Sequence, residues 1–323
     1  MRTGLKVTAL AAVATMAAAC GSDGGGDSPA AAGGSGELTE VTVNIVPFTP
    51  NAVLFLAMEN GTFERNGIKV NIERAASPVP VVASLVADQA QFGFVTTPVL
   101  INAAREGTAL KCVSPVDGQI SPTEDSSALV AAADSGIDSL DDLGGKSVAV
   151  VQLASINLIG AKKLIEDTGA TGTEYVALPF PQMPQALADG RVDAAVITSP
   201  FLEQALDAGA VELAAPSSDL FPEGTVYCYA ATSSYLGDNA DVATRFQKAM
   251  QEAIVYAGEH QDEAKATLVE YLELTEEQAQ AQVMPSNFVP EINLESIGEI
   301  QDLMQEQGSI DSTVDPAELV FQP

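Results

Sequence analysis

Short apolar strands alternate with helical patterns from Val41 onward. The β-rich segments 41–46, 68–72 and 92–95 are each followed by residues with helical spacing, and Gly61 and Gly107 end two of these helices. Such alternation is typical of a mostly parallel sheet that is covered by helices. The first part of the chain is therefore predicted to form an α/β lobe.

A second lobe is predicted because the same rhythm restarts after Gly145. A strand at 147–151 precedes a helix at about 155–168, and further strands and helices continue to about residue 208. The motif Thr96-Thr97-Pro98 follows the apolar run at 92–95, and Thr198-Ser199-Pro200 follows the apolar run at 194–197 in the same way. This echo indicates that the two lobes share one design.

Beyond Tyr229 the pattern becomes helical. Phe246, Ala249, Ala253 and Ala257 recur at helical spacing, which predicts a helix with one buried face. A helical tail after the second lobe indicates that the chain returns to the first lobe. We therefore expect lobe one at 40–115 and 228–323, lobe two at 116–227, and a hinge of two chain crossings between two helix-flanked, mostly parallel sheets.

The N-terminus carries an export signal. Arg2 and Lys6 precede an apolar run at 7–19, which is shorter than the roughly 20 residues needed to span a bilayer. Small residues directly before Cys20 resemble a lipobox, so we expect a signal peptide at 1–19, lipidation of Cys20 and a Gly/Ser-rich flexible tether at 20–39. Ordinary cleavage after an Ala-x-Ala site, without a lipid, is the alternative.

The charge balance excludes one class of partner. The 323 residues include 14 basic and 44 acidic ones, for a net charge of −30. Nucleic-acid binding needs basic residues that neutralise phosphates, so no nucleic-acid partner is expected. The acidity indicates either a solvated surface or a docking face for a basic partner. Near the first crossing, Asp117, Glu124 and Asp125 are expected to form an exposed acidic loop, with binding of an amine as the alternative.

Two cysteines remain besides Cys20. Cys112 and Cys228 are far apart in sequence, and in an oxidising compartment such a pair is a candidate disulfide. The predicted topology places both residues beside the hinge. Two buried free thiols are the alternative.

Candidates for catalysis are few. The only histidine, His260, lies in a polar stretch near a predicted helix end, where a solvated side chain is the ordinary role. The sequence has no zinc-like spacing of His and Cys, no Gly-x-Ser-x-Gly motif and no phosphate-binding loop. We therefore expect a protein without enzymatic activity, metal or cofactor.

Polar loops recur at the carboxyl ends of predicted strands, where open α/β sheets bind ligands. Helix N-termini there offer unpaired N–H groups, although Ser or Thr before Pro also serves simply to start a helix. None of the five loops contains Lys or Arg. The predicted ligand-binding residues, in these loops and the following β-rich run, are Phe48, Thr49, Asn51, Thr96, Thr97, Ser155, Asn157, Phe180, Gln182, Thr198, Ser199, Phe201 and Tyr227.

The segments 135–150 and 187–195, together with the lipobox and Thr96-Thr97-Pro98, give the chain a family resemblance. The chain resembles the ABC-importer binding proteins for sulfonates, nitrate and thiamine-pyrimidine precursors. The resemblance implies a type II periplasmic-binding-protein fold, in which two lobes close on a solute and then dock on a permease. Contacts made by both lobes exist only in the closed form, so the solute favours closure.

The expected partners follow from this resemblance. They are an ABC permease and a small solute, which is a sulfonate, a nitrogenous heterocycle or an aromatic compound. The absence of Lys and Arg from the loops and the presence of Phe48, Phe180, Phe201 and Tyr227 favour a neutral or aromatic solute. The protein is expected to be a monomer on the outer face of the cytoplasmic membrane, which it touches only through the lipid.

Two enzymes on the same fold are the alternatives to this function. A thiamine-pyrimidine synthase depends on a Cys-rich motif, iron and an active-site histidine, and this chain has no Cys cluster. A dehydratase of quinone synthesis is the other alternative, and the export signal argues against it.

Overall fold

The computed structural model describes residues 37–116, 125–152, 155–284 and 288–323. The predicted signal peptide, Cys20 and most of the tether lie outside these residues, as do Asp117 and Glu124. Among the described residues, no helix is both long and apolar enough to cross a membrane.

The described residues form ten strands. In chain order they are β1 (Thr39–Ile45), β2 (Ile68–Arg74), β3 (Phe92–Thr96), β4 (Leu110–Pro115), β5 (Ser127–Ala131), β6 (Ser147–Val150), β7 (Glu174–Ala177), β8 (Ala194–Thr198), β9 (Val211–Ala214) and β10 (Tyr227–Thr232).

The same residues form thirteen α-helices. They are α1 (Ala52–Glu59), α2 (Thr62–Arg65), α3 (Pro78–Val86), α4 (Thr97–Arg105), α5 (Ile156–Asp167), α6 (Met183–Ala188), α7 (Phe201–Asp207), α8 (Pro216–Leu220), α9 (Ser233–Asp238), α10 (Ala240–Glu259), α11 (Gln261–Tyr271), α12 (Glu276–Ala281) and α13 (Leu294–Glu306). Short 3₁₀ turns follow β1 at Thr49–Asn51 and β7 at Phe180–Gln182.

The strands form two five-stranded sheets with matching order. The first sheet runs β2-β1-β3-β10-β4 and the second runs β7-β6-β8-β5-β9. In each sheet the fourth strand, β10 or β5, is antiparallel to both of its neighbours, and the first three strands are parallel to one another. The echo between the lobes in the sequence thus corresponds to one shared topology. We call the first sheet with its helices the first lobe, and the second sheet with its helices the second lobe.

Each antiparallel strand is the one that the chain forms immediately after it crosses between the lobes. β5 follows the outward crossing from β4, and β10 follows the return from the second lobe. The sequence predicted mostly parallel sheets but not these two reversed strands. The lobe boundaries predicted at residues 116 and 228 stay a prediction.

The first-lobe core explains why the C-terminal helices return. Helices α10 and α11 pack against α1, and the ring of Phe246 on α10 stacks on Phe92 of β3 with 3.9 Å between centroids. Helix α3 lies so close to β3 that a Cβ atom at Gly93 would be 2.4 Å from Val81 Cγ1. Glycine at this position therefore allows the helix to cover the sheet.

The second lobe has a core on each face of its sheet. Along β5, Ala128 and Val130 join one cluster, whereas Leu129 and Ala131 join the other. Successive side chains of a strand point to opposite faces, so a run of apolar residues is buried on both sides. This burial fixes the strand ends that carry the candidate site.

Cys112 and Cys228 form a disulfide in the structure. They lie on the neighbouring strands β4 and β10, with 5.7 Å between their Cα atoms, which is an ordinary separation for bonded cysteines. Both side chains are buried. The structure therefore agrees with the pairing predicted from the sequence and places it on the strand that returns from the second lobe.

Candidate functional site

Aromatic rings from both lobes meet beyond the strand ends. The ring of Phe48, which follows β1, lies 4.7 Å from Phe94 of β3, 6.1 Å from Tyr227 of β10 and 6.3 Å from Phe180 of the second lobe. All four rings are buried. We call these four residues the aromatic cluster. It forms an apolar contact between the lobes in the position where the sequence predicted a cleft.

Hydroxyl groups continue the contact beside the aromatic cluster. The Ser127 Oγ atom lies 2.7 Å from Thr198 Oγ1 and 3.4 Å from the hydroxyl oxygen of Tyr227. Ser127 and Thr198 lie opposite each other on β5 and β8, whereas Tyr227 begins β10. The hydroxyl of Tyr227 thus links the first sheet to the second at the crossing.

Several buried polar side chains have an atom without a hydrogen-bond partner among the described residues, and three of them are almost completely buried. The atoms of these three are Thr96 Oγ1, Asn157 Nδ2 and Ser217 Oγ, and their side chains are at most 3% exposed. A buried polar group that lacks a partner costs free energy, so such groups are uncommon without a functional reason. They are therefore the strongest candidates for hydrogen bonds to a solute.

Thr96 was predicted to be either a ligand-binding residue or a plain helix cap. It occupies the N-cap position of α4, but its side chain makes no capping hydrogen bond. The hydroxyl is thus not used to start the helix, and capping does not explain the residue. Ser155 differs, because its Oγ accepts the Leu158 N–H at 3.2 Å and caps α5.

Asn157 and Ser217 lie on two helices in direct contact. A Cβ atom at Gly160 of α5 would lie 2.8 Å from the carbonyl oxygen of Pro216 in α8, so glycine is needed for this close approach. Asn157 belongs to the first turn of the 12-residue helix α5. The unpaired N–H groups and positive dipole end of a helix N-terminus favour an oxygen-rich or anionic group there.

Helix α5 is also packed against the first lobe. Ile156 and Ile159 belong to the first-lobe core, and Gln307, which follows α13, donates from Nε2 to the carbonyl oxygen of Ile159 at 2.9 Å. The N-terminal turn of α5 is therefore held at the contact between the lobes. This placement brings Asn157 to the side of the second lobe that faces the first.

Two of the predicted binding residues have their polar atoms bound to protein. Asn51 donates from Nδ2 to the carbonyl oxygens of Val46 and Phe48, at 2.8 and 3.1 Å, and accepts the Tyr229 hydroxyl at 2.8 Å. The Thr97 hydroxyl donates to the carbonyl oxygen of Thr225. These bonds hold the loops after β1 and β3 in place, and a direct role of Asn51 and Thr97 in binding stays a prediction.

The remaining predicted residues have different surroundings. Gln182 is exposed, and Phe201 is half-buried against one of the second-lobe cores. Thr49 Oγ1 donates to Gln282 Oε1 at 2.6 Å, and Ser199 Oγ donates to Glu203 Oε1 at 2.7 Å. Contact of these residues with a solute stays a prediction.

Sequence reasoning missed three residues of the site. Phe94 could have been found, because alternate residues of a strand share a face and Phe94 lies two positions before Thr96. Ser127 and Ser217 gave no comparable signal, since the prediction contained neither β5 in its antiparallel position nor the short helix α8. Their roles depend on how the chain re-enters each sheet.

The first crossing was predicted to be an exposed acidic loop, and for Asp125 this prediction was wrong. Asp125 is 8% exposed. Its Oδ1 accepts the Ser127 N–H at 2.9 Å, and its Oδ2 accepts the Ser218 N–H and hydroxyl at 3.2 and 2.9 Å. Burial raises the pKa of Asp125 to about 6 despite these hydrogen bonds. The residue is buried because it fastens α8, which carries Ser217, to the start of β5.

The histidine that the sequence offers for catalysis does not lie among these residues. The ring of His260 stacks on Tyr256 with 3.8 Å between centroids, where α10 ends and α11 begins in the first lobe. Among the described residues, no group of three or more His, Cys, Asp or Glu side chains is arranged to hold a metal ion. The site instead combines apolar rings with uncharged hydrogen-bonding groups, an arrangement suited to binding.

Solved structures share this two-lobed architecture. The alkanesulfonate-binding protein of Xanthomonas axonopodis pv. citri, bound to MOPS, is 18% identical and superposes with a TM-score of 0.73 over 90% of this chain and 100% of that one. The periplasmic nitrate-binding protein of Synechocystis PCC 6803 is 14% identical, with a TM-score of 0.67 over 87% of this chain and 84% of that one. The predicted two-lobed type II periplasmic-binding-protein fold is confirmed.

Sequence comparison defines the family. The model described as "NMT1/THI5 like" matches residues 49–264, which is more than half of the chain. The chain therefore belongs to the NMT1/THI5-like family. The aliphatic sulfonates-binding protein of Bacillus subtilis (strain 168) is 27% identical over 274 residues, which are 82% of this chain and 76% of that protein. The family resemblance predicted from the sequence is confirmed.

Proposed function

We propose that this protein is the solute-binding component of an ABC-type importer. Its two lobes close on a small organic molecule and present that molecule to a membrane permease. The relatives support this function, because the structural neighbours and the Bacillus subtilis protein are named for binding sulfonates or nitrate.

One observation carries the proposal. Thr96 of the first lobe and Asn157 of the second each have a buried polar atom without a partner among the described residues, and the aromatic cluster draws rings from both lobes. A solute that bonds to both lobes binds the closed form more tightly than the open form, and so it shifts the population toward closure. No covalent step is needed, so the protein is proposed to have no enzymatic activity.

The site favours a solute with two chemically different ends. One end carries oxygen acceptors for Asn157 Nδ2, the hydroxyls of Thr96 and Ser217, and the N-terminus of α5. The other end is apolar or planar and packs on the aromatic cluster. Organic sulfonates have this form, and the loops that lack Lys and Arg would bind their oxygens through neutral donors. Nitrogenous heterocycles and aromatic acids are the other classes to compare.

The N-terminal segment gives this function a location. A lipid on Cys20, followed by the Gly/Ser-rich tether, would keep a monomeric binding protein beside its permease on the outer face of the cytoplasmic membrane. The lipid would be the only membrane contact of the protein. A monomer is sufficient to bind the solute, because each chain contains both halves of the proposed site.

A ligand screen tests the proposal. Thermal unfolding is measured with short alkanesulfonates, nitrate, pyrimidines, aromatic acids and amines, and each hit is titrated by calorimetry. A solute at 100 times its dissociation constant adds about 2.7 kcal/mol to the free energy of unfolding, so a true ligand raises the melting temperature clearly.

The same screen has a direct control and a contradicting outcome. The solute is recovered after incubation and analysed by mass spectrometry, and we expect it to be unchanged. Turnover of the solute would contradict a pure binding function. Absence of any stabilisation across all of these classes would contradict the proposed solutes.

A further inference from the structure

A second set of contacts joins the lobes away from the aromatic cluster. Thr49 lies in the turn after β1, and Gln282 follows α12, which packs on α11 in the first lobe. Ser199 directly follows β8 in the second lobe, and Glu203 lies in the first turn of α7. Thr49, Ser199 and Gln282 are at most 2% exposed, whereas Glu203 is partly exposed.

Hydrogen bonds connect these four residues in a chain. The Thr49 N–H donates to the carbonyl oxygen of Ser199 at 3.2 Å, and Thr49 Oγ1 donates to Gln282 Oε1 at 2.6 Å. Ser199 Oγ donates to Glu203 Oε1 at 2.7 Å. Gln282 and Glu203, at the two ends of this chain of bonds, line one cavity. The backbone bond from Thr49 to Ser199 therefore crosses from the first lobe to the second, and the side-chain bonds hold its two ends.

We infer that Thr49, Ser199, Glu203 and Gln282 form an interlobe latch that stabilises the closed conformation by itself, without contact between these side chains and the solute. Affinity depends on the fraction of molecules whose lobes are arranged to bind, so a latch that raises this fraction tightens binding of every solute. The expected effect of the latch on affinity rests on the proposed solute-binding function, whereas its effect on the conformation does not.

The polar atoms of the latch support this assignment. The hydroxyls of Thr49 and Ser199 both donate to protein acceptors, in contrast to the hydroxyl of Thr96. When the lobes separate, water can replace the contacts between them, so the bond from Thr49 to Ser199 belongs to the closed form. The two hydroxyls hold the ends of this bond in place within their own lobes.

The carboxylate of Glu203 reduces the stability that the latch gives to the closed form. Its Oε2 atom is buried without a partner among the described residues. Burial raises the pKa of the Glu203 carboxyl, and the nearby Asp207 raises it further. Glu203 also borders a cavity of about 290 Å³ that Asp207 and Glu277 line as well. The closed form therefore buries a carboxylate with too few partners, which costs free energy. A neutral side chain of the same shape should stabilise the closed form.

Three substitutions test the latch with opposite expected signs. Thr49→Val and Gln282→Leu each remove the side-chain bond that holds Thr49, whereas Glu203→Gln keeps the shape of the carboxyl group and removes its charge. Small-angle X-ray scattering of the solute-free protein measures the radius of gyration, and calorimetry with a short alkanesulfonate measures affinity. We expect the first two variants to expand the protein and weaken binding by about five- to tenfold, the scale of one lost buried hydrogen bond. Glu203→Gln should compact the protein and tighten binding.

Thr267→Val is the matched control. Thr267 is as buried as Thr49, but its hydroxyl donates to the Ala264 carbonyl oxygen within α11 at 2.7 Å. The control should change neither the radius of gyration nor the affinity. A double-mutant cycle of Thr49→Val with Gln282→Leu should show coupling, because the two side chains share one bond.

The outcomes separate the latch from the proposed function. A loss of affinity in Thr49→Val without any change in the radius of gyration would overturn the inference and assign Thr49 to the solute. An unchanged radius of gyration and affinity in both Thr49→Val and Gln282→Leu would overturn it as well. Expansion of these two variants, together with no binding of any tested solute, would support the latch and contradict the proposed solutes.

Discussion

The rings of Phe48 and Phe180 lie 6.3 Å apart, with 69° between their planes, although the two residues belong to different lobes. Edge-to-face pairs of this kind contribute about 0.5–1.5 kcal/mol beyond the burial of their surface. The pair is also where the apolar part of a solute would enter between the lobes. We therefore propose that affinity and closure depend on the same ring.

Phe180→Leu should weaken binding of an organic solute by about tenfold, because the ring face is lost while the position stays apolar. Calorimetric titration measures this change. Phe63→Leu is the matched control, since Phe63 is also buried but stacks on Phe246 in the first lobe instead of joining the aromatic cluster. Equal losses of affinity in the two variants would contradict a specific role of Phe180.

Thr96→Val should weaken binding by about tenfold while leaving the protein as stable as before or more stable. The substitution removes a buried hydroxyl that has no partner among the described residues, so the folded protein loses no hydrogen bond. Titration and chemical denaturation measure the two effects on one sample. If Thr96→Val lowers the free energy of unfolding by 1 kcal/mol or more without changing affinity, the hydroxyl is structural.

Much of the fold could be predicted from the sequence because each strand and helix has a strong local pattern. The motif Thr96-Thr97-Pro98 predicted both the end of β3 and the start of α4, since Pro at the first helical positions fits a helix N-terminus. Less of the candidate site could be predicted from the sequence. The Asn51 side chain is an ordinary loop amide in the sequence, and only the arrival of Tyr229 from β10 shows that its oxygen is already bonded. Long-range pairings of this kind have no signature near the residue itself.

Removal of the disulfide should destabilise the protein strongly. Cys112 and Cys228 are 116 positions apart, and in the chain-entropy model a loop of this size gives about 4–5 kcal/mol. Cys112→Ala/Cys228→Ala should lower the free energy of unfolding by up to that amount in urea denaturation. Intact-mass measurement after alkylation, with and without reductant, provides the control. Alkylation of both cysteines in the unreduced protein would contradict the bond.

Asp125 should make stability depend on pH. The pKa of Asp125 is raised to about 6 in the folded protein, above its usual value of 3.8, so its protonated form is favoured by folding. The contribution of Asp125 to the free energy of unfolding is fully present below about pH 4 and is lost as the pH rises through about 6. The difference between the two pKa values corresponds to about 3 kcal/mol.

Asp125→Asn isolates that effect, because an amide does not titrate. The free energy of unfolding of Asp125→Asn minus that of the native protein should increase by about 2–3 kcal/mol between pH 4 and pH 7. Asp219, which also raises the pKa of Asp125, is present in both proteins. Parallel pH profiles of the two proteins would show that Asp125 titrates normally.

Cys20→Ser tests the predicted anchor. We expect the native protein, expressed in a bacterium that processes lipoproteins, to fractionate with membranes and to carry the mass of a diacylglyceryl group. The variant should lose both properties while its solute affinity stays the same, because Cys20 lies ahead of the flexible tether. Release of unmodified native protein into the medium would support ordinary cleavage after the Ala-x-Ala site.

The position of β10 in the first sheet also determines an order of assembly. β4 has β10 as its neighbour in the sheet, and β10 begins only at Tyr227. The five strands of the second sheet, by contrast, lie within residues 127–214. Because synthesis proceeds from the N-terminus, all strands of the second sheet are made before β10, which the first sheet still lacks. The first lobe, whose first strands are made earliest, is therefore completed last.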